Sequence, residues 1–321
     1  MKAFLTGATG FVGGRVALAL RERGDDVVCL VRDPAKAERL RTAGCSIVEG
    51  DLSDREKLRA AMTGTDVVFH IAADYRVGMR TTEHDKMWDT NVGGTTRVLD
   101  AAVEAGVPKI VYVSTIAAFG NTKGQTVDES YKHPGDGYTS HYERTKVEAH
   151  KIAEARIAAG APIVIIQPGG IYGPGDHSAV GTQIEQAAHG KLPAVAFPKL
   201  GLNMVHVDDV VTGILACCDK GRPGEAYVLG GEITTLGDVV RKAAEAGGRK
   251  PPRVTVPTVA LKAMVPVAPM VTKAMGVGPN LRELISASDG VTYWATDAKA
   301  RRELGYAPRD LDTGLRQTVV G

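Results

Sequence analysis

The chain has 321 residues, 44% apolar and 24% charged, which is typical of a globular protein and too apolar for a disordered one. Its 39 basic and 37 acidic residues give a net charge of +2, which excludes a basic field for nucleic acid, and 5% aromatic residues are too few for base-stacking platforms. We expect no signal peptide, membrane span or metal site, and four cysteines without metal-ligand spacing favour the cytoplasm.

The first half of the chain alternates strand and helix patterns joined by short connections. Apolar runs predict strands at residues 3–5, 27–31, 47–48, 67–69, 110–113 and 163–166. Helical patterns are predicted at residues 11–23, from residue 53 onward, at 91–105 and at 140–160. Gly24 suits the end of the first helix, and Ser53 with Glu56 and Ser140 with Glu143 have the spacing of capping boxes. This alternation predicts an α/β fold, a doubly wound parallel sheet of the Rossmann type.

After Pro168 the alternation stops, and glycines and prolines cluster. A helix at 208–218, capped by Asp208, and a strand at 226–229 still look like parts of the sheet. We therefore predict a Rossmann domain from residues 1–171 plus 205–232, and a smaller C-terminal lobe from 172–204 plus 233–321. The apolar stretch 254–271 is broken by three prolines. It fits a lobe helix with its loops, or else a surface that touches a membrane or an apolar substrate.

A glycine-rich loop, TGATGFVG at residues 6–13, separates the first strand from the first helix. Gly7 permits the tight turn, Gly10 lets the backbone approach a pyrophosphate, and Gly13 lets helix and strand pack closely. The helix N-terminus offers free N–H groups and the positive end of its dipole to the phosphates. The loop therefore predicts dinucleotide binding through Gly7, Thr9, Gly10, Phe11, Val12 and Gly13.

The end of the second strand bears on which dinucleotide is bound. Folds of this type that use NAD usually place an acidic residue there, on the ribose 2′-hydroxyl. Here Arg32 and Asp33 follow Val31. An arginine can pair with a 2′-phosphate, and Lys36 can add a second positive charge. We expect NADP(H) to be preferred, with NAD(H) as the alternative in which Asp33 takes the ribose.

Tyr142 and Lys146 are four residues apart and share one face of a predicted helix. A phenol with a pKa of about 10 is a poor acid–base group at neutral pH, and a neighbouring ammonium is expected to lower that pKa. Ser114 and Thr115 follow the strand at 110–113 and can supply a hydroxyl that holds a carbonyl oxygen. Together these residues predict acid–base chemistry on a carbonyl beside the dinucleotide.

The chain resembles the extended short-chain dehydrogenase/reductase superfamily, in its NAD(P)-dependent epimerase/dehydratase family, over nearly its whole length. The matching motifs occur in family order: TGATGFVG (6–13), DL (51–52), HIAA (70–73), NVGGT (91–95), YVST (112–115), YERTK (142–146), Pro168 with YGPGD (172–176), and VHVDDV (205–210). The resemblance implies further cofactor contacts at the adenine, after the fourth strand and at the carboxamide, namely Asp51, Leu52, Ala72, Ala73, Pro168 and Gly170.

The resemblance also implies the catalytic roles. Thr115 aligns with the family's catalytic Ser/Thr, Tyr142 is the expected acid–base, and Lys146 is its helper and a ligand of the nicotinamide ribose. Asn91 is expected to position the active-site helix, and the VHVDDV stretch to be architectural. The substrate pocket is expected to be lined by Tyr75, Thr115, Tyr172 and Met204.

Two branches of the superfamily compete for this sequence. Arg32 after Val31 resembles the NADP signature of the dihydroflavonol-reductase-like branch, and the stretches at 70–76 and 201–210 resemble bacterial proteins labelled hopanoid-associated sugar epimerases. Nucleotide-sugar epimerases and dehydratases usually carry an acid at the position of Val31, and many carry an arginine near that of Asn203. We therefore expect an NADP(H)-dependent carbonyl reductase acting on a small, rather hydrophobic substrate. An NAD-retaining epimerase or dehydratase is the alternative, and a non-catalytic NADP(H) sensor is disfavoured by the intact site. By analogy with relatives, a homodimer is expected.

Overall fold

The computed structural model describes residues 1–265 and 279–320. Its strands are β1 Lys2–Thr6, β2 Asp26–Val31, β3 Ser46–Glu49, β4 Val67–His70, β5 Ile110–Val113, β6 Ile163–Pro168, β7 Gly170–Tyr172, β8 Ala194–Ala196, β9 Gly201–His206, β10 Ala226–Leu229, β11 Glu232–Thr235 and β12 Val254–Val256. Its helices are α1 Phe11–Glu22, α2 Glu38–Thr42, α3 Arg55–Met62, α4 His84–Trp88, α5 Gly94–Glu104, α6 His141–Ala158, α7 Ala179–Ala188, α8 Val207–Lys220, α9 Leu236–Ala246, α10 Thr258–Ala263, α11 Leu281–Ser288, α12 Ala298–Leu304 and α13 Leu311–Val320.

Seven strands form one parallel sheet in the order β10-β6-β5-β4-β1-β2-β3. Each neighbouring pair is parallel, as when Phe4 of β1 pairs with both Val28 and Val68. Strands β1, β2 and β3 follow one another toward one edge of the sheet, and β4, β5, β6 and β10 follow one another toward the other edge. This confirms the predicted doubly wound sheet, and it places the switch point, where such sheets bind ligands, between β1 and β4.

Two apolar layers bury the two faces of this sheet. On one face, Leu5 and Val16 share a cluster with Ile214, so α1 and α8 pack together there. On the other face, Phe4, Leu99 and Ala149 share a cluster built from α3, α5 and α6. Adjacent residues of β1 thus enter opposite cores, which explains why the predicted strands read as unbroken apolar runs.

The second half adds two small sheets that the sequence did not predict. One has the strand order β11-β9-β7, and the other pairs β12 with β8. Helices α7, α9 and α13 pack around the first of these. These strands are three to six residues long. The division into 1–171 plus 205–232 and 172–204 plus 233–321 stays a prediction.

Helix ends are partly as predicted. Ser140 caps α6 by accepting a hydrogen bond from the Glu143 N–H at 3.1 Å. The predicted cap Ser53 is wrong: Asp54 accepts from the Lys57 N–H at 2.9 Å, because the Ser53 hydroxyl is taken by Asp51.

The predicted cap Asp208 is also wrong, since helix α8 begins at Val207 and His206 precedes it as the cap. The stretch 254–271 contains β12 and α10, and its residues beyond 265 lie outside the described part of the chain. Within residues 1–265 and 279–320, no helix combines the length and apolarity needed to cross a membrane.

Candidate active site

A large cavity lies at the C-terminal edge of the seven-stranded sheet and continues into the second half of the chain. Its volume is approximately 1240 Å³. The glycine-rich loop after β1 and the ends of β2, β4, β5 and β6 form its floor, and the first turns of α6 form one side. Residues of α7, β9 and α11 complete the wall. The cavity thus occupies the switch point where the fold predicts a ligand.

The glycine-rich loop has the shape of a dinucleotide cradle. Gly7 has φ +81°, and a Cβ placed on it would lie 2.7 Å from the Ala72 backbone nitrogen. A Cβ on Gly13 would lie 2.2 Å from the Gly7 carbonyl oxygen. Gly10, which has no side chain, occupies the cap position of α1, so the first N–H groups of that helix are left for a ligand such as a pyrophosphate. The residues present therefore fit a dinucleotide.

The end of β2 presents a cation to this cavity. Arg32 lies in the cavity wall, near enough to Asp51 to help lower the pKa of that carboxyl, although hydrogen bonds from Ser53 lower it more. Asp33 points its carboxylate at the Ala35 N–H, 3.1 Å away, and so caps the turn that follows. Lys36 is exposed and lies 3.9 Å from Asp33, outside the wall of the cavity. Lys36 therefore does not line the cavity, and its contact with the cofactor stays a prediction.

Tyr142 and Lys146 lie side by side in the wall, one helical turn apart on α6. Lys146 is 3% exposed, and its ammonium donates to the Val113 carbonyl at 3.3 Å. Thr115, directly after β5, faces the same space, and its oxygen accepts from the Ala117 N–H at 3.2 Å. Its own hydroxyl proton is left for a ligand oxygen. A phenol, an ammonium and a hydroxyl donor therefore surround one point in the cavity.

Burial decides the charge states of this group. Burial lowers the pKa of Lys146 to about 8, so the ammonium persists at neutral pH. Burial also raises the pKa of Tyr142, with Tyr75 and Tyr112 acting in the same direction and Thr115 against it. This differs from the expectation that Lys146 lowers the phenol pKa, because desolvation outweighs the neighbouring charge. Tyr142 therefore carries its proton, as a proton donor must.

Most of the predicted site residues lie in the wall of this one cavity. The predicted cofactor contacts found there are Gly7, Thr9, Gly10, Phe11, Val12, Gly13, Arg32, Asp51, Leu52, Ala72, Ala73, Tyr142, Lys146, Pro168 and Gly170. Of the predicted substrate contacts, Tyr75, Thr115 and Met204 are in the wall. The Tyr75 ring meets the Tyr142 ring edge-on, with centroids 4.8 Å apart.

Tyr172 was expected in the substrate pocket, and this is wrong. Its side chain is 1% exposed and packs in the apolar core of the second half, with Leu236 and Leu315. Its ring meets His206 edge-on at 5.5 Å. Strand β7 alternates its side chains across the small sheet. Ile171, the neighbour of Tyr172, is in the cavity wall, so Tyr172 points to the opposite face of the strand, into the core.

Asn91 forms hydrogen bonds both to the loop after β4 and to the active-site helix α6. Its amide oxygen accepts from the Asp74 N–H at 2.7 Å, and its amide nitrogen donates to the Asp74 carbonyl at 2.9 Å and to the Thr145 hydroxyl at 3.0 Å. Asn91 is 2% exposed. The residue therefore joins the loop after β4 to α6, next to Tyr142 and Lys146, in agreement with the expected positioning role.

Sequence reasoning missed the wall that the second half provides. It is mainly apolar, with Phe197, Leu200, Leu202, Leu261, Leu281 and Leu284 among its members, and its polar members include Asp176, His177, Ser178 and Gln183. Among the described lining residues from 176 to 293, none is a lysine or an arginine. Asn203 is also in the wall. Its amide nitrogen donates to the Ala295 carbonyl and its amide oxygen accepts from the Gly231 N–H, both at 2.6 Å. Its signals in the sequence are the predicted contact Met204 and the apolar stretch 254–271, of which the residues beyond 265 lie outside the described part of the chain.

Within residues 1–265 and 279–320, no three His, Cys, Asp or Glu side chains are grouped so that they could hold a metal ion. His70 is fully buried between the hydroxyls of Thr6 and Thr95, at 2.8 and 3.0 Å. Burial, with a smaller contribution from Lys146, lowers the pKa of His70 to about 3. It is therefore a neutral residue that joins β4 to β1 and α5.

Comparison with known sequences gives one family and several relatives. The profile described as "NAD dependent epimerase/dehydratase family" matches residues 3–230. A protein of Synechocystis sp. named "Putative dihydroflavonol 4-reductase" is 31% identical over 98% of this chain and 93% of its own. Sterol demethylase protein B of Methylococcus capsulatus is 33% identical over 80% and 78%. The 4-hydroxy-2-methyl-3-oxo-4-farnesyl-3,4-dihydroquinoline-1-oxide ketoreductase of Stigmatella aurantiaca is 31% identical over 96% and 92%.

Solved structures extend the likeness to the whole fold. The crystal structure of gox2253 superposes with a TM-score of 0.83 at 34% identity, over 99% of this chain and 96% of that one. A UDP-glucose 4-epimerase from Thermotoga maritima, solved with UDP-glucose, superposes with a TM-score of 0.80 at 22% identity, over 100% and 98%. The second likeness is one of fold alone. Both superpositions include the residues that form the apolar wall.

Proposed function

From the premise that this chain belongs to the NAD-dependent epimerase/dehydratase family, within the extended short-chain dehydrogenases/reductases, we propose that it is an NADP(H)-dependent carbonyl reductase of a largely apolar ketone. The family makes it an enzyme of the superfamily of NAD(P)-dependent reductases and epimerases. The observation that carries the finer proposal is the apolar wall opposite Tyr142, without a lysine or arginine among its described lining residues.

Each site residue has a task in this reaction. When bound, the nicotinamide supplies the hydride for the carbonyl carbon, or accepts it in the reverse direction. Thr115 donates a hydrogen bond to the carbonyl oxygen and so fixes its position. Tyr142 gives its proton to that oxygen as negative charge develops there. The Lys146 ammonium, buried in the same wall, stabilises the phenolate that Tyr142 becomes.

The cofactor half of the cavity supports NADP(H). Arg32 lines the cavity at the end of β2 and would hold a 2′-phosphate, while Asp33 is engaged in capping its own turn. An arginine there supplies a charge-assisted hydrogen bond that a bare ribose hydroxyl does not need. The glycine-rich loop and the uncapped start of α1 would hold the pyrophosphate.

The substrate half supports an apolar ketone. A sugar nucleotide carries a diphosphate, which needs cationic partners, and the described wall supplies none from residues 176 to 293. Asn203, near the position where many epimerases have an arginine, is neutral, and its amide is hydrogen-bonded to the backbone of Ala295 and Gly231. Two relatives bear names that mention a sterol and a farnesylated quinoline oxide. Those names agree with an apolar substrate class.

The test begins with the nucleotide. The purified protein is denatured, any released nucleotide is identified by mass, and apo protein is titrated with NADPH and NADH. NADPH oxidation is then followed with a panel of alicyclic, steroidal and isoprenoid ketones, and with UDP-glucose as the competing candidate. We expect tighter binding of NADPH and turnover of at least one ketone. Retained NAD, no NADPH preference and conversion of UDP-glucose would overturn the proposal.

Tyr142→Phe is the matched variant for the same assay. It removes one hydroxyl and keeps the ring against Tyr75. We expect turnover to fall by roughly 100-fold or more, because general acid catalysis contributes about that much. NADPH affinity should change little. Turnover equal to that of the wild type would refute the role of Tyr142.

A further inference from the structure

A row of four side chains runs along one face of α6. Tyr142, Lys146, His150 and Glu154 are each four residues apart, which places them one above the other on the helix. Tyr142 and Lys146 lie in the cavity wall. The side chain of His150 is 14% exposed and that of Glu154 is 35% exposed. The row therefore leads from the reacting phenol toward solvent.

Besides Tyr142 and Lys146, a hydrogen bond between Ser114 and His150 also connects this row to the cavity. The Ser114 hydroxyl, which lies in the cavity wall beside Thr115, is 3.0 Å from the Nδ1 atom of His150. The Nε2 atom of His150 is 3.7 Å from Glu154, whose carboxylate also pairs with the exposed Lys132. Contacts from His150 and Lys132 lower the pKa of Glu154 to about 2, so it is an ionised acceptor at the outer end.

The interior beside Ser114 is polar. Ser114 donates its backbone N–H to Ile166 and so adjoins Gln167 of β6, and Tyr112 lies two residues before it on the same face of β5. Tyr112 and Gln167 are each 1% exposed. In the described part of the chain, the Tyr112 hydroxyl and both Gln167 amide atoms are buried without a hydrogen-bond partner. Such groups are suited to bind water that enters from the cavity.

The proposed reaction needs a path for protons at this place. Each reduction takes one proton from Tyr142, and the phenolate must recover one before the next turnover. Tyr142 is 9% exposed, and a bound nicotinamide and ketone would lie against the face that lines the cavity. A proton that does not cross the occupied cavity must pass through the protein behind it.

We propose that His150, a positioning residue outside the reacting group, relays this proton from solvent through Ser114 to Tyr142; the proposal rests on the reductase function above. A solvent proton is taken up at the Nε2 side next to Glu154, and His150 releases its Nδ1 proton to the Ser114 oxygen. Ser114 passes its hydroxyl proton into the cavity, where Lys146 and water deliver it to the phenolate. One proton enters and the phenol is restored; exchange of the ring protons with solvent, in which Nδ1 gains one proton and Nε2 loses one, returns the starting tautomer.

His150→Gln separates a relay from a structural role. A glutamine amide can keep a hydrogen bond to Ser114, but it does not take up or release a proton at neutral pH. The enzyme, with NADPH in excess over it, is mixed rapidly with an excess of the best ketone from the panel. We expect the first turnover to match the wild type, since Tyr142 begins with its proton, and later turnovers to slow by about tenfold or more. In His150→Ala, added imidazole should restore the later turnovers.

His189→Gln is the matched control, because His189 ends α7 on the surface and its ring contacts only the Glu185 carbonyl among described residues. It should behave as the wild type in both phases. Later turnovers of His150→Gln at the wild-type rate would overturn the relay. Equal slowing of the first and later turnovers would also overturn it, since that result indicates a distorted site.

A measurement without turnover distinguishes this proposal from the reductase assignment. If the wild type reduces no ketone, the reductase function fails on that result alone. The relay contact is then judged by ¹⁵N NMR of the His150 ring in Ser114→Ala. Loss of the 3.0 Å contact should shift the Nδ1 resonance and change the tautomer balance. An unchanged His150 spectrum would overturn the relay whatever the reaction is.

Discussion

A methyl group added at Gly13 tests the dinucleotide cradle most directly. The Cβ of Gly13→Ala would lie 2.2 Å from the carbonyl oxygen of Gly7 and 2.7 Å from its carbonyl carbon, whereas ordinary contact begins at 3.4 Å. Both atoms belong to the backbone, so no side-chain rotation can relieve the clash. The Gly7 carbonyl also accepts the Gly10 N–H at 2.9 Å, so moving it opens the turn itself.

The expected magnitude follows from two opposing effects. Overpacking of this kind costs about 1–3 kcal/mol, and replacing a helical glycine by alanine returns up to about 1 kcal/mol. For a chain of 321 residues, a net loss of about 1–2 kcal/mol corresponds to a decrease in Tm of roughly 1–3 °C, because the entropy of unfolding is about 2.1 cal/mol/K per residue. Because the displaced loop is the one that would hold the pyrophosphate, NADPH affinity should fall by about tenfold or more, which is about 1.4 kcal/mol.

Gly14→Ala is the matched control on the same helix. Its Cβ would lie 3.1 Å from the Ala8 carbonyl oxygen, so a shift of a few tenths of an ångström accommodates it. Melting curves and fluorescence titrations with NADPH compare the two variants. We expect Gly14→Ala to remain near the wild type in both. If Gly13→Ala were indistinguishable from Gly14→Ala, the close approach of loop and helix would not govern cofactor binding.

Three further predictions concern single side chains. Arg32→Ala should weaken NADPH by roughly 10–100-fold and NADH much less, because a charged hydrogen bond contributes about 1.5–3 kcal/mol, and equal losses in a titration would refute its 2′-phosphate role. Asn91→Ala should lower the free energy of unfolding in urea by about 2–4 kcal/mol, since it removes two hydrogen bonds to the part-buried Asp74 backbone and a buried one to Thr145; an unchanged midpoint would contradict this. In the folded protein His70 stays neutral down to its pKa of about 3, whereas in the unfolded chain it takes up a proton below about 6.5. The free energy of unfolding should therefore fall by about 1.4 kcal/mol for each pH unit as the pH is lowered between those values, and His70→Gln should remove this slope.

The sheet and its cofactor edge could be predicted because local rules decide them. The strand before the glycine-rich loop is an unbroken apolar run, since alternate residues of β1 enter two different cores. Gly7 and Gly13 are required by backbone clashes that no other residue avoids. Helical spacing alone brings Tyr142 and Lys146 together. The Gly13 clash with Gly7 and the Tyr142–Lys146 spacing need only neighbours in the sequence, whereas the Gly7 clash involves the distant Ala72.

The remaining errors come from competition between close neighbours or from burial in the assembled fold. Ser53 could cap α3 by sequence, but it bonds to Asp51 and leaves the cap to Asp54. Tyr172 stands in a motif next to the site, but three-residue strand β7 turns it into the core. A lowered phenol pKa follows from an ammonium at helical spacing, but burial of Tyr142 reverses the sign. Burial is a property of the assembled fold.

Helix α6, which carries Tyr142, is connected by a hydrogen bond to helix α11, which carries part of the apolar wall. Its first N–H, that of His141, donates to the buried Glu283 of α11 at 2.7 Å. The same helix α11 places Leu281 and Leu284 in the apolar wall. A carboxylate at a helix N-terminus is stabilised by the helix dipole, so α11 and α6 hold each other in place. Substitutions that reshape the wall through the backbone of α11 should therefore change kcat together with KM. Truncation of Leu284 alone, which leaves Glu283 on His141, should change KM with kcat nearly kept, and that contrast separates the choice of substrate from the placement of Tyr142.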